Sequence, residues 1–116
     1  MPGKVARGSV VDVNLDPTVR HEIRKVRPCV VIQNDIGNQN SPLVIVAALT
    51  GAEHIRKPPP IWILVAKGEG GVEKDSYVLC HQIRTVDEMR LGKIYGKLSK
   101  EIMEKVGRAL RISLAL

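Results

Sequence analysis

Arg27 and Thr50 are the residues of this sequence whose types and spacing best suit chemistry on a phosphate. They stand at the outer ends of two apolar segments, CVVI and LVIVAAL, that flank the polar stretch QNDIGNQNSP. A guanidinium and a hydroxyl held side by side above a sheet can grip a phosphate through charge-assisted hydrogen bonds. On geometry alone, arginine before proline is more often a solvated strand start, and threonine is a common strand residue.

The polar stretch predicts a hairpin with a long loop, because turn-forming residues separate two β-branched runs. Paired residues in an antiparallel hairpin have numbers with a constant sum. If Asn34 faces Leu43, that sum is 77, and Arg27 then lies opposite Thr50. A slip of one residue would turn a side chain to the other face of the sheet.

The remaining pattern predicts several short strands joined by turns and loops. A half-buried strand is predicted over 8–15 from its alternation, followed by a turn at 16–18. Further strand segments are predicted at 61–66, at 76–80 and 82–86 (two strands or one bent strand), and at 93–98, with a single helical turn at 87–91. The GEGG segment at 68–71 lacks a following GK[ST] and is interpreted as a flexible hairpin tip, not a phosphate loop.

The strongest helix signal lies at the C-terminus. Ser99 is a good N-cap, and Leu98 and Met103 have the spacing of a hydrophobic staple. An apolar stripe with helical spacing follows and predicts either a core face or an interface: Ile102, Met103, Val106, Ala109 and Leu110. Short strands with one capping helix suggest a small closed or half-closed β-barrel.

Composition bounds the partners and the compartment. The 116 residues carry a formal charge of +6 and a pI near 9.6, which favours anionic partners. Aromatic residues make up 3% of the chain, which argues against a protein built on base stacking. Cys29 and Cys80 each stand beside Val or Leu and are interpreted as small core residues in a reducing compartment, with a disulfide between them left open. A signal peptide and a membrane-length apolar run are both missing, so we expect a cytoplasmic protein.

The histidines do not indicate a two-histidine nuclease, because nothing in the spacing pairs His21, His54 and His81. His54 is expected at the surface, whereas His21 and His81 could line a groove that binds nucleic acid. Arg24 and Lys25 are a solvated face by default, but beside Arg27 they favour contact with a nucleic-acid backbone. No Asp/Glu/His cluster suggests a metal, and no cofactor is expected.

A series of motifs then follows in one order: GSVVDVNLDP, HE, VRPCVVIQNDIGN, SPLVIVAALT, KDSYVLCHQIRTVD, MRL, GKLS and ALRISLAL. This order resembles the MazF/PemK family of toxin endoribonucleases from bacterial type II toxin–antitoxin systems, from about Arg7 to the C-terminus, in a single domain of residues 1–116. The resemblance implies a mostly β fold with a C-terminal α-helix, a small SH3-like (CcdB/PemK-type) barrel that forms a homodimer. It implies metal-independent, sequence-specific cleavage of single-stranded RNA by 2′-OH attack, giving 2′,3′-cyclic phosphate and 5′-OH ends.

The resemblance also implies which residues act. Arg27 and Thr50 would carry catalysis, and Glu22, the acidic residue of the loop before the Arg-Pro pair, is also implicated. Arg27 and Thr50 are also the two residues that the hairpin register brings together. Glu22 is a reasonable base if its loop brings it near them.

RNA contacts are implied for Asn34 and Gln82, which fall where relatives contact bases, and His81 takes a position that is usually Glu. The family loop usually reads Ser-Glu-Gln followed by a small residue and glycine, whereas residues 21–25 here read HEIRK. Ile23 cannot make the hydrogen bonds of that Gln, and two added cations should hold phosphates more strongly. The departure puts sequence preference in doubt more than activity.

Two alternatives remain open at this point. One is a non-catalytic, CcdB-like toxin on the same barrel that acts on DNA gyrase, and the other is an SH3-like binding module; fold alone does not separate them. For the nuclease, the resemblance implies an acidic, MazE-like antitoxin that lays a segment across the basic groove.

Overall fold

Within residues 4–22 and 25–116, which the computed structural model describes, the chain forms one sheet flanked by helices. The strands are β1 Ser9–Asn14, β2 Val26–Val31, β3 Leu43–Gly51, β4 Trp62–Val65, β5 Ser76–Asp87 and β6 Leu91–Lys97. The helices are α1 Asp35–Asn40 and α2 Lys100–Leu114, with 3₁₀ turns at Glu69–Gly71 and Glu88–Arg90. No helix of this described part is long and apolar enough to span a bilayer.

The strands form an antiparallel sheet in the order β4-β5-β3-β2-β1-β6. This confirms the expected mostly β fold with a C-terminal helix, but the sheet is open, with β4 and β6 as its edges. The 3₁₀ turn Glu69–Gly71, which follows β4, packs against β6 in place of a strand. The two predicted segments after residue 75 are one strand, β5, whose pairing with β3 shifts register between Ala47 and Leu49.

Both faces of the sheet bury apolar side chains. One face packs against α2 and includes Val10, Val30, Ala47, Leu49, Val65, Val78 and Val106. The other face includes Val11, Val13, Cys29, Val31, Val46, Ala48 and Leu79. Neighbouring residues of β1, β2 and β3 therefore alternate between the two cores, as the strand period requires.

Helix α2 begins where the sequence predicts. The Ser99 hydroxyl accepts a hydrogen bond from the Ile102 N–H at 3.2 Å, and Leu98 and Met103 both pack in the core beneath it. The predicted apolar stripe faces the sheet, with Val106 and Ala109 fully covered. The stripe is therefore a core face.

Helix α1 was not predicted, since its six residues are too short to show a helical period and are rich in turn formers. Asn34 caps it, because its side-chain oxygen accepts from the Gly37 N–H at 2.8 Å. Asp35 in the first turn adds a carboxylate at the positive end of the helix.

The glycine-rich segment at 68–71 is held by packing and is not the expected flexible hairpin tip. A Cβ on Gly71 would lie 2.4 Å from the Tyr95 carbonyl oxygen, and a Cβ on Gly96 would lie 2.8 Å from that of Gly70. The Glu69 carboxylate also accepts from the Ser99 N–H at 2.8 Å. Glycine at these positions lets the turn lie directly on the backbone of β6.

Cys29 and Cys80 are buried, as predicted, and both are free thiols. Burial, assisted by the charge of Asp12, raises the pKa of Cys29 from 9.0 to about 12, and burial raises the pKa of Cys80 to about 11. The folded protein therefore holds the Cys29 proton more tightly than the unfolded chain does.

We expect this contribution to stability to be complete below pH 9.0 and to be lost as the pH rises towards 12. The free energy of unfolding, measured by urea titration, should fall across that window, and less steeply in a Cys29→Ala variant.

Thiol labelling of the native protein at pH 9.0 should be slow compared with labelling of the chain unfolded in urea. Equal labelling rates would contradict the burial of both thiols.

Candidate active site

The pairing of β2 with β3 sets the geometry of the site. Cys29 pairs with Ala48, and Val31 with Val46, so the predicted sum of 77 is the observed register. Continuing that register by two residues puts Arg27 opposite Thr50, on the same face of the sheet as Cys29 and Ala48. Arg27 is exposed and Thr50 is half-buried, so neither residue is sealed beneath the sheet.

A cleft of about 350 Å³ opens at this end of the sheet. Its lining residues are Val10, Arg27, Pro28, Leu49, Thr50, Gly51, Val72, Glu73, Lys74, Ser76 and Tyr95. Apolar side chains from the core facing α2 thus meet polar side chains at the strand ends. Two cationic residues, Arg27 and Lys74, are among the residues that line it.

Lys74 is held at the rim by two contacts. Its Nζ lies 2.6 Å from the Glu53 carboxylate, and its backbone carbonyl accepts from the Ser76 hydroxyl at 2.9 Å. The hydrogen bond and charge of Lys74 lower the pKa of Glu53. Sequence reasoning missed Lys74, because its place depends on β5 pairing with β3.

Tyr95 forms the opposite wall of the cleft. Its hydroxyl donates to the Asp12 carboxylate at 2.9 Å, and this hydrogen bond is the main cause that raises the pKa of Tyr95 to about 12. The Lys93 ammonium lies 4.7 Å from the centre of the Tyr95 ring. The wall is therefore fixed by a hydrogen bond between β6 and β1.

Glu22 lies in the loop before β2 and is not among the residues that line the cleft. Its carboxylate accepts from the Val19 N–H, and its own N–H donates to the Val19 carbonyl at 3.1 Å. These two hydrogen bonds between Val19 and Glu22 hold the loop in a turn.

The other loop residues proposed to bind RNA lie on the same stretch. His21 is exposed, and Lys25 is exposed with a positive φ of 64°. The Lys25 N–H donates to the Asp16 carboxylate at 3.0 Å, and its carbonyl accepts from the Leu15 N–H at 2.9 Å. Arg24 lies outside the described residues.

The remaining residues predicted to contact RNA lie on the face of the sheet that carries Arg27 and Thr50, or at the end of the sheet far from those two residues. Gln82 lines a small depression with Arg84, over Cys29 and Ala48. His81 is exposed on β5, where its Nδ1 accepts from the Trp62 indole N–H at 3.3 Å. Asn34 is exposed at the start of α1, with its side-chain oxygen engaged in the helix cap.

The arrangement suits phosphate chemistry carried by protein side chains. In residues 4–22 and 25–116, no three His, Cys, Asp or Glu side chains come together as a metal site. What the cleft offers is a planar guanidinium, an ammonium and a hydroxyl, which suit binding and charge stabilisation at a phosphodiester.

Comparisons with known proteins identify the family of the chain. The family described as "PemK-like, MazF-like toxin of type II toxin-antitoxin system" matches residues 6–114. The chain is 48% identical over 112 residues to "Endoribonuclease EndoA" of Bacillus subtilis (strain 168), covering 97% of this chain and 96% of that protein.

Solved structures show the same fold at low sequence identity. MazF (Form-I) from Deinococcus radiodurans superposes with a TM-score of 0.82 at 20% identity, covering 97% of this chain and 98% of that one. A mycobacterial endoribonuclease in complex with its cognate antitoxin superposes with a TM-score of 0.76 at 22% identity, covering 98% and 96%.

Proposed function

The chain belongs to the PemK-like, MazF-like toxins of type II toxin–antitoxin systems, and we propose that it is an endoribonuclease that cleaves single-stranded RNA at a short sequence without a metal ion. The observation that supports the proposal is the β2–β3 register at Cys29–Ala48, whose continuation by two residues puts Arg27 opposite Thr50. The 48% identity to an endoribonuclease supports the same activity. A gyrase-directed toxin and a binding module without catalysis are not favoured.

The proposed reaction uses the 2′-OH of the substrate as the nucleophile. The O2′–P bond forms while the P–O5′ bond breaks, so the products are a 2′,3′-cyclic phosphate and a 5′-OH. The 2′-OH proton goes to a base, and the departing O5′ takes up a proton. Because negative charge builds on the phosphoryl oxygens, positioned donors lower the barrier.

Arg27 is proposed to stabilise that charge, since its planar fork matches two phosphate oxygens and it stays a cation. Thr50 is proposed to hydrogen-bond the phosphate and orient it. Lys74 adds a second cation to the same cleft. Glu22 is proposed as the base, which requires its carboxylate to leave the Val19 N–H and the loop to move towards the cleft.

RNA on either side of the cleft is proposed to contact six further residues: His21, Arg24, Lys25, Asn34, His81 and Gln82.

Homodimer formation is part of the proposal, and exposed apolar side chains at the end of α2, Ile112, Leu114 and Leu116, are available to an interface. An acidic MazE-like antitoxin complements the net charge of +6. A cytoplasmic location is proposed because cellular RNA lies there.

The experiment is to incubate purified protein with a long defined RNA in EDTA and to map the cut ends. We expect discrete cuts that leave 2′,3′-cyclic phosphates, and no cut where the 2′-OH at the mapped site is replaced by hydrogen. Cleavage of the deoxy substrate would reject the 2′-OH mechanism. Intact RNA together with stalled gyrase would favour the toxin directed at gyrase, and neither result would favour a binding module.

A further inference from the structure

An aromatic cluster formed by Trp62, Tyr77 and His81 lies beside Thr50, and no role proposed above uses its ring faces. The Trp62 and His81 rings are nearly parallel, with centroids 5.8 Å apart and planes inclined by 21°. Trp62 and Tyr77 are tilted against each other, with centroids 6.0 Å apart. We infer that this cluster is a stacking platform for an unpaired RNA base next to the cleaved phosphate, an inference that rests on the proposed function.

The strand registers put the cluster on the face that carries Arg27 and Thr50. Tyr77 pairs directly with Thr50, and Trp62 pairs with Leu79, two residues from Tyr77 on the same side of β5. Tyr77 and Trp62 both pack against the core that contains Cys29 and Ala48. One strand spacing, about 5 Å, separates Tyr77 from Thr50, and a second such spacing separates β5 from β4.

The rings are held in place but not covered. Trp62 and Tyr77 are half-buried, with the core beneath them, and His81 is exposed. The hydrogen bond from the Trp62 indole N–H to His81 Nδ1 fixes the orientation of both rings. A fixed aromatic face beside phosphate-binding cations is the combination that single-strand binders use, because every base has a π-face.

The low aromatic content argues against a protein built on base stacking, but composition does not tell where the aromatic side chains lie in the fold. Two of the three Trp and Tyr residues of the chain lie in this cluster, and the third, Tyr95, lines the cleft. An unpaired base is the occupant that matches an aromatic surface continuous with Arg27 and Thr50.

Trp62 is the only tryptophan of the sequence, so its fluorescence reports on the platform alone. The probes are oligo(A) and oligo(U) RNA, with inorganic polyphosphate as an anion that has no bases, added in EDTA to the Thr50→Ala variant, in which loss of the phosphate-orienting hydroxyl is expected to slow cleavage. We expect quenching by both RNAs, stronger with oligo(A), and little change with polyphosphate. RNA binding is measured independently by fluorescence anisotropy of end-labelled RNA.

Loss of the rings should weaken binding. Trp62→Leu and Tyr77→Leu are each expected to lower RNA affinity about tenfold, whereas Met89→Ala, at an exposed apolar residue of the 3₁₀ turn Glu88–Arg90, should leave it unchanged. Urea unfolding of each variant shows whether the fold persists, and the quenching assay does not depend on those variants. Full RNA binding without quenching of Trp62, or equal quenching by polyphosphate, would overturn the platform.

Cleavage of the long defined RNA by the unmodified protein is measured in parallel, in EDTA. Cleavage with an unresponsive Trp62 rejects the platform and leaves the proposed function standing. Binding and quenching without cleavage reject the proposed function and leave a base-binding surface. Neither binding nor cleavage rejects both.

Discussion

Replacing Arg27 by alanine is expected to lower the rate of RNA cleavage about 10²–10³-fold, the usual cost of removing one well-placed stabilising donor. The variant keeps its fold, because the side chain is exposed and surface contacts of charged groups contribute only about 0–1 kcal/mol. Single-turnover cleavage in EDTA measures the rate, and urea unfolding measures the stability. Arg108→Ala, at an exposed arginine of α2, controls for the loss of one positive charge.

The arginine fork can be separated from its charge. Arg27→Lys keeps a cation but loses the planar pair of donors, so cleavage should fall between that of the alanine variant and the unmodified protein. If the register makes Arg27 and Thr50 act on one phosphate, the combined Arg27→Ala, Thr50→Ala variant should lose less than the product of the single losses. Near-normal cleavage by Arg27→Ala would remove the central residue of the proposed mechanism.

The local part of this site was predictable from sequence. Two β-branched runs around a polar stretch fix a hairpin sum, and the observed pairs Cys29–Ala48 and Val31–Val46 keep that sum. The register survives although the loop contains α1, because the helix spans the turn without changing which strand residues pair.

The non-local part was not predictable from these patterns. Lys74 and Tyr77 reach the site because β5 pairs with the second edge of β3, and no local pattern identifies the strand that takes that edge. The register shift between Ala47 and Leu49 would defeat a constant sum even if the partner were known. The open sheet was not predictable either. The 3₁₀ turn Glu69–Gly71 packs on β6 in place of a strand, but its glycine-rich sequence is typical of a flexible hairpin tip.

Gly71→Ala is expected to lower the free energy of unfolding by about 3 kcal/mol, combining strain at a positive φ with overpacking. The φ of Gly71 is 81°, and its added Cβ would lie 2.4 Å from the Tyr95 carbonyl oxygen and 2.8 Å from the carbonyl carbon. Both atoms belong to the backbone of β6, so a rotamer change cannot relieve the contact. Urea unfolding measures the loss.

Gly68→Ala is the matched control, because Gly68 has a φ of 93° and an added Cβ would meet nothing within 4 Å. Its penalty should be strain alone, about 1 kcal/mol. Equal penalties at the two glycines would mean that the turn does not press on β6. A larger penalty at Gly71 means that the turn and β6 are packed as one unit, and because Val72 and Tyr95 both line the cleft, cleavage should then fall in Gly71→Ala while Gly68→Ala retains it.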